Sequence, residues 1–288
     1  MTPTSVRPAR RTKRFSRRPH GGFSFAWYAC IAVLVIFVCY ALVGQYFLPA
    51  ADAVDIKKLL APPSSEHLMG TDELGRDLFA RITVAGRLTM SMGLGAMALS
   101  VLVGGTWGLC AAAFGGWLDE VLMRIADALI AIPVILFALV FVAALGASVP
   151  NLVVILGFLM APTTARVVRS AALGELVADY VLGLRAVGAS TGRILFREVL
   201  PNLRAVLLSQ ATLNIAVAVM AEAGLSFVGL GVQPPTATWG SLLKSGYNVL
   251  LQDPFYPLFS ALVILVFIAA LNIFGRETQD VLDRRSFS

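Results

Sequence analysis

Long apolar runs, separated by short polar stretches, set the pattern of this chain. Six windows, near residues 25 to 48, 89 to 114, 125 to 146, 150 to 169, 204 to 226 and 256 to 275, are filled with apolar residues and do not alternate at period 2 or 3.6. About 20 such residues cross a hydrocarbon core about 30 Å thick, where the backbone has to close its own hydrogen bonds. Each window therefore predicts a transmembrane helix. The fourth is the shortest, with Pro162 inside it and Arg166 and Arg169 at its end.

Composition agrees with that pattern. Of 288 residues 58% are hydrophobic and 14% charged, against about 45–50% and about 25% in ordinary globular proteins. The mean hydropathy is +0.80. The first apolar run follows a basic tail, RPARRTKRFSRRPH, and precedes Ala51-Asp52-Ala53, as in a cleaved signal peptide. A signal peptide's apolar core is only about 7–15 residues long, so an uncleaved spanning helix is expected.

Orientation follows from lysine and arginine counted by loop. Residues 1 to 24 carry seven, 115 to 124 one, 166 to 204 six and the tail from Arg276 three, whereas residues 49 to 88 carry five and 227 to 255 one. Seventeen lie on one side and six on the other. Both termini are thus predicted to be cytoplasmic, and topology accounts for the net charge of +6 without nucleic acid as a partner. The expected divisions are a basic tail (1–24), a first span (25–48), an outer loop (49–88), a five-helix core (89–276) and an inner tail (277–288). The core includes an inner loop at 173–203 and an outer loop at 227–255.

Few residues suggest chemistry. Cys30, Cys39 and Cys110 fall within predicted spans and form no CxxC pair, and His20 and His67 fall on opposite sides, so neither a disulfide nor a metal site is predicted. Gly104 and Gly108 form a GxxxG pair suited to close helix packing. Asp127 and Glu222 are costly in a spanning helix unless they face protein or water. Asp127 lies one turn from Arg124, which suggests an ion pair; Glu222 sits near an outer helix end, within reach of substrate, a partner helix or interfacial water. Gln210, Asn214 and Asn272 suit bridges between helices. A short amphipathic helix is expected from Trp239 to Leu251, after a turn at Pro234-Pro235.

One inner stretch does not suit lipid: LGELVADYVLGLRAVGASTGRILFREVLPNL, residues 173 to 203. Tyr180, Val181, Leu184 and Val187 recur at helical spacing and predict a short helix that stops at Gly188. Ser190 or Thr191 can cap a second helix carrying Ile194, Leu195 and Phe196, with Arg193 and Arg197 one turn apart. Pro201 closes the motif or opens the next span. Such a bent pair either docks in a groove on a soluble partner or lies flat on the membrane with its arginines on phosphates.

The stretch resembles the cytoplasmic loop of ABC importer permeases. Gly188 and Leu200-Pro201 stand at matching spacing, with Arg185, Ala186, Ala189 and Ser190 in the RAxGAS form. It departs where Leu182-Gly183-Leu184 replaces Glu-Ala-Ala and Glu198 takes an apolar position. HLMGTDELGRDLFARI, GGWLDEVLMRIADALIAIP and LSFVGLGVQPPTATWGSLL are similar to the C-type permease subunit of oligopeptide and dipeptide ABC importers. At the C-terminus GRETQDVLDRR keeps Asp280 and Asp283-Arg284 but lacks the usual glycine-rich start.

That resemblance implies an all-α protein with six transmembrane helices and the type I ABC importer permease fold, in a prokaryotic inner or plasma membrane. It implies a B-type permease as partner, two ATPase domains that are separate or fused and hold ATP and magnesium, and an extracytoplasmic binding protein. Residues 184–201, among them Leu184, Arg185, Ala186, Gly188, Ala189, Ser190, Arg193, Arg197, Leu200 and Pro201, would couple ATPase closure to the spans. Gly70, Thr71, Asp72, Gly75, Arg76 and Asp77 match the outer signature, where a tight turn with an Asp-Arg pair is expected. The chain lacks a GxxxxGK[ST] phosphate loop, in keeping with a non-enzymatic subunit. An ion-gradient-driven secondary transporter is the alternative; it would centre on Asp127 or Glu222, but no inverted repeat of broken helices is evident. An intramembrane enzyme would need convergent catalytic groups, which two histidines and scattered carboxylates do not supply.

Overall fold

The computed structural model describes residues 24–47, 51–233 and 236–286, and those residues are helical apart from their loops. Five helices are long and apolar enough to cross a membrane, or six if one sharply bent pair counts as a single span. The spanning helices are α1 (Phe25–Phe47), α2 (Leu78–Phe114), α5 (Val149–Leu176), α9 (Arg204–Val228) and α11 (Phe255–Ser286), and the bent pair is α3 (Gly116–Ile130) with α4 (Val134–Leu145). Two short pieces, α6 (Asp179–Ala186) and α7 (Thr191–Arg193), lead into a π-helical turn at Ile194–Val199 and then α8 (Leu200–Asn202). The element α10 spans Trp239–Asn248.

Several boundaries differ from the expected ones, each for a local reason. The predicted span at 125–146 is not one straight helix: α3 and α4 meet at 86°. Pro133 ends the first helix, since proline donates no N–H and pushes its predecessor out of helical torsions. The span expected from residue 89 begins at Leu78, because Asp77 caps it by accepting from Ala80 N–H at 2.7 Å. Arg81 and Arg87 interrupt the apolar window there and hide its true start. The shortest window, 150–169, lies within a 28-residue helix that carries Pro162 inside it. At the other end α11 runs to Ser286 where a tail from 277 is expected, and Thr278 accepts from the Trp27 indole N–H at 2.8 Å. The basic tail to residue 23, His20 and the Pro234-Pro235 turn lie outside the described residues.

The helices α2 and α5 pack along much of their length. A methyl group at Gly104 or Gly108 would overlap the carbonyls of Ala161 and Ala165, so this GxxxG pair serves contact inside the chain. Deeper in the bundle, Asn214 joins three helices. Its amide donates to Ser100 Oγ at 3.1 Å and Thr164 Oγ1 at 3.0 Å, and its oxygen accepts from Gln210 at 2.9 Å. All four side chains are buried. A polar group away from water is tolerated where it is bonded, so this bridge is a register lock between α2, α5 and α9.

Candidate functional site: the inner loop and the outer signature

In the loop between α5 and α9, expected on the inner side, α6 ends in a left-handed turn. Gly188 has φ +82°, its N–H donates to Arg185 O at 3.0 Å, and Ala189 N–H donates to Leu184 O at 3.0 Å. These two bonds form a Schellman cap, which needs a residue at ease with positive φ. Ser190 then caps the next helical piece by accepting from Arg193 N–H at 3.4 Å. The segment Gly188-Ala189-Ser190-Thr191-Gly192 also spells Gly-x-Ser-x-Gly. Among the described residues no strand precedes it, and its serine is occupied as a cap, so the nucleophile-turn context is missing.

The pair has two unlike faces. Val181, Ile194, Leu195, Val199 and Leu203 are buried against Leu109 and Ala112 of α2 and Val168, Ala172 and Leu176 of α5. Leu184, Ala189 and Leu200 pack at the edge of that cluster. Val187 and Phe196, which the sequence spacing puts on the apolar side, instead point away and are 81% and 61% exposed. Leu182, Arg185, Ala186, Gly188, Ser190, Arg193, Arg197 and Pro201 are exposed as well. At Leu200 the N–H reaches back to Leu195 O, the i→i−5 bond of a π turn. Pro201 is an internal residue of α8 and does not end the helical path, which stops at Leu203 and resumes at Arg204.

A polar triad holds the base of this unit. The Tyr180 hydroxyl donates to Glu175 Oε2 at 2.6 Å, and the Asn202 amide donates to Tyr180 Oη at 3.0 Å and Glu175 Oε2 at 3.3 Å. Partial burial pushes the phenol above its ordinary pKa and the bond to Glu175 pushes it further, so it stays a donor. Nearby, Arg166 pairs with Asp127 and Arg169 with Asp119, tying α5 to α3. Asp127 therefore bonds to Arg166, where the spacing suggests Arg124, and it is about half exposed. The paired residues stand 39 and 50 positions apart in sequence, so no local spacing announces them.

The outer signature folds into a small knot before α2. Asp72 is fully buried and accepts from Leu74 N–H and Arg76 N–H, both at 2.9 Å, and from Arg76 Nε at 2.6 Å. Thr71 donates to Lys58 O and accepts from Ala61 N–H at 2.8 Å, and it bridges antiparallel to Asp77. Gly70 N–H donates to His67 O at 2.9 Å, and His67 Nδ1 lies 2.8 Å from the Asp77 carboxylate. Gly75 has φ +73°, and a methyl group there would overlap the Asp55 carbonyl. The expected Asp-Arg pair is thus Asp72 with Arg76. Arg81, near the end of the HLMGTDELGRDLFARI stretch but given no role in the sequence reading, stands 3.3 Å from Asp72 and 3.7 Å from Asp52.

Glu222 is fully buried and does not meet solvent. Its Oε1 accepts from Ser226 and Thr238 hydroxyls, both at 2.7 Å. Thr238 in turn caps α10 in a capping box with Ser241. Trp239, buried beside it, donates from its indole to Ile82 O at 2.9 Å and from its backbone to Thr89 Oγ1 at 3.1 Å. Glu222, Thr238 and Trp239 therefore fasten the second outer loop onto α9 and α2.

Residues 104–288 match the family described as binding-protein-dependent transport system inner membrane component. The glutathione transport system permease protein GsiD of Pectobacterium atrosepticum is 34% identical over 87% of this chain and 84% of its own length. The dipeptide transport system permease protein DppC of Alkalihalophilus pseudofirmus is 36% identical over 78% of this chain and 74% of its own. A putative peptide transport system permease protein of Brucella suis is 39% identical over 81% and 79%. Among solved structures, a chain of the inward-facing MetNI methionine ABC transporter superposes with a TM-score of 0.59 at 19% identity. The match covers 71% of this chain and 96% of that one, which supports the fold alone.

Proposed function

The chain belongs to the binding-protein-dependent transport system inner membrane components, the permease subunits of ABC importers, and on that premise we propose that it is the C-type permease of a di- or oligopeptide importer. It pairs with a B-type permease to enclose the pathway, receives peptide from an extracytoplasmic binding protein and is driven by two ATPase domains that hold ATP and magnesium. Both termini and the α6–α8 unit face the cytoplasm, as the seventeen-to-six distribution of cations supports.

The two-faced inner unit carries the reading. One face is seated on the inner ends of α2 and α5, while the other presents Leu182, Val187 and Phe196 among Arg185, Arg193 and Arg197. Exposed apolar anchors ringed by cations suit a cleft on a soluble partner. Movement of that partner then passes into both helices through the buried face. Peptide as cargo rests on the names of the relatives.

Gly188→Trp and Arg193→Glu test this in the assembled transporter. Both should lower peptide uptake and recovery of the ATPase on purification, by about tenfold if one interfacial anchor of about 1.4 kcal/mol is lost. Unchanged uptake and unchanged recovery in both variants would remove the coupling role.

A further inference from the structure

Helix α3 stands between two corners. Gly115 and Gly116 hold left-handed backbone, at φ +59° and +54°, and turn the chain out of α2, while at the far end Pro133 starts α4 at 86° to α3. The two helices differ in kind. All 12 residues of α4 are apolar, and Leu136, Val140 and Leu145 are more than half exposed, which suits a helix surrounded by lipid. In α3 four of 15 residues are charged, and such groups are costly in the hydrocarbon.

At about 3.6 residues per turn the side chains of α3 fall into three sectors. One is seated on α5: Ala126 is fully buried, and Asp119 pairs with Arg169. In the second, Glu120, Arg124 and Asp127 follow one another at spacings of four and three, and all are exposed. The third is apolar, with Trp117, Val121, Ile125 and Ala128; Trp117 is 77% exposed and Ile125 47%. A charged stripe and an apolar stripe thus run side by side along one helix. That layout suits the boundary between headgroups and acyl chains, where a tryptophan is also at home.

We propose that α3 is an interfacial helix lying in the plane of the membrane at the inner-leaflet boundary, with Trp117, Val121 and Ile125 among the acyl chains and Glu120, Arg124 and Asp127 toward water. The right angle carries the inference. Helices in lipid tilt by about 20° from the bilayer normal, so a helix at 86° to α4 lies within about 25° of the membrane plane. The choice of leaflet rests on the orientation proposed above.

The test uses the complete transporter in liposomes, in a chain carrying Cys30→Ala, Cys39→Ala and Cys110→Ala. Single nitroxide labels are placed through Trp117→Cys, Glu120→Cys, Ile125→Cys, Ala128→Cys, Leu136→Cys and Val140→Cys, and depth is read from collisions with oxygen against a water-soluble nickel chelate. Trp117 and Ala128 are about 16 Å apart along the axis, so their labels should differ in depth by no more than about 7 Å. Leu136 and Val140, one turn apart on α4, should differ by about 6 Å. The label at Glu120 should be the most open to nickel. A larger difference between Trp117 and Ala128 would make α3 part of a span and overturn the proposal. So would labels at Trp117 and Ile125 shielded from both reagents, since a protein partner would then cover the apolar sector.

The unmodified transporter gives an independent reading if the cysteine-free chain does not assemble. Phospholipids with a diazirine beside the glycerol should mark α3 along its length, and those with a diazirine at the chain end should mark α4. Glycerol-end adducts confined to one end of α3, or none on it, would overturn the in-plane position. If nickel chelate reaches Glu120 only from the side opposite the ATPases, the orientation has failed and the in-plane position stands.

Discussion

Gly75 and Gly188 both hold left-handed backbone, at φ +73° and +82°, but a side chain at one would collide and at the other would meet open space. Around Gly75 the outer loop is closed: Asp72 is fully buried and its oxygens are occupied by backbone and guanidinium donors. Around Gly188 the inner loop is open, since a methyl group added there would have nothing within 4 Å, and Val187 is 81% exposed. The same local torsion thus serves two ends. The outer turn completes a self-contained structure, and the inner one holds up a surface that the described residues leave uncovered.

The contrast can be broken from the outer side most forcefully. Asp72→Ala should cost about 3–5 kcal/mol, since it strips the buried acceptor from Arg76 and leaves Arg76 and Arg81 with only the more distant Glu73 and Asp52, each at 3.7 Å. Loss of the assembled complex in detergent, with a lowered melting temperature, checks this. Gly75→Ala against Gly188→Ala sharpens the comparison. Positive φ alone costs alanine about 1–2 kcal/mol, so Gly188→Ala should stop there, and Gly75→Ala should exceed it because of the Asp55 carbonyl. Equal melting temperatures for the pair would contradict the packing described for the outer loop.

The smallest effect is a pH dependence in the outer loop. Lys58, bonded to Glu66, holds that carboxyl below its usual range. A lowered folded-state pKa means that the contribution is present above the unfolded value of about 4.3 and fades as pH falls through the folded pKa. Wild type and Glu66→Gln should therefore converge in stability only under acidic conditions, and the difference between them should stay constant near pH 7.

Much of this architecture is legible in the sequence. Apolar windows locate the spans because lipid demands uninterrupted hydrophobic length, and Gly188 with Ser190 locates the inner turn because cap chemistry is local. What cannot be read there depends on residues far apart. Val187 and Phe196 follow the apolar spacing, yet tertiary packing turns them outward. Local spacing assigns Asp127 to its neighbour Arg124, and the fold bonds it across helices to Arg166. Arg81 reads as an interruption of an apolar run, and only the folded knot puts it beside Asp72. The bend at Pro133 is visible as a proline, but its 86° angle is not, nor are the pairs of Asp119 and Asp127 with α5 that hold α3 in place.

The 37 residues of α2 make one continuous helix from the cap at Asp77 to Gly115. At about 1.5 Å per residue that is a rod about 55 Å long. Its lower third seats the α6–α8 unit, and its upper end bears the Asp72 knot. A tilt of about 3° at one extremity displaces the other by about 3 Å, as for any stiff lever of that length. Under the coupling proposed above, motion at the α6–α8 end would then widen or narrow an entrance at the other end without any intervening hinge.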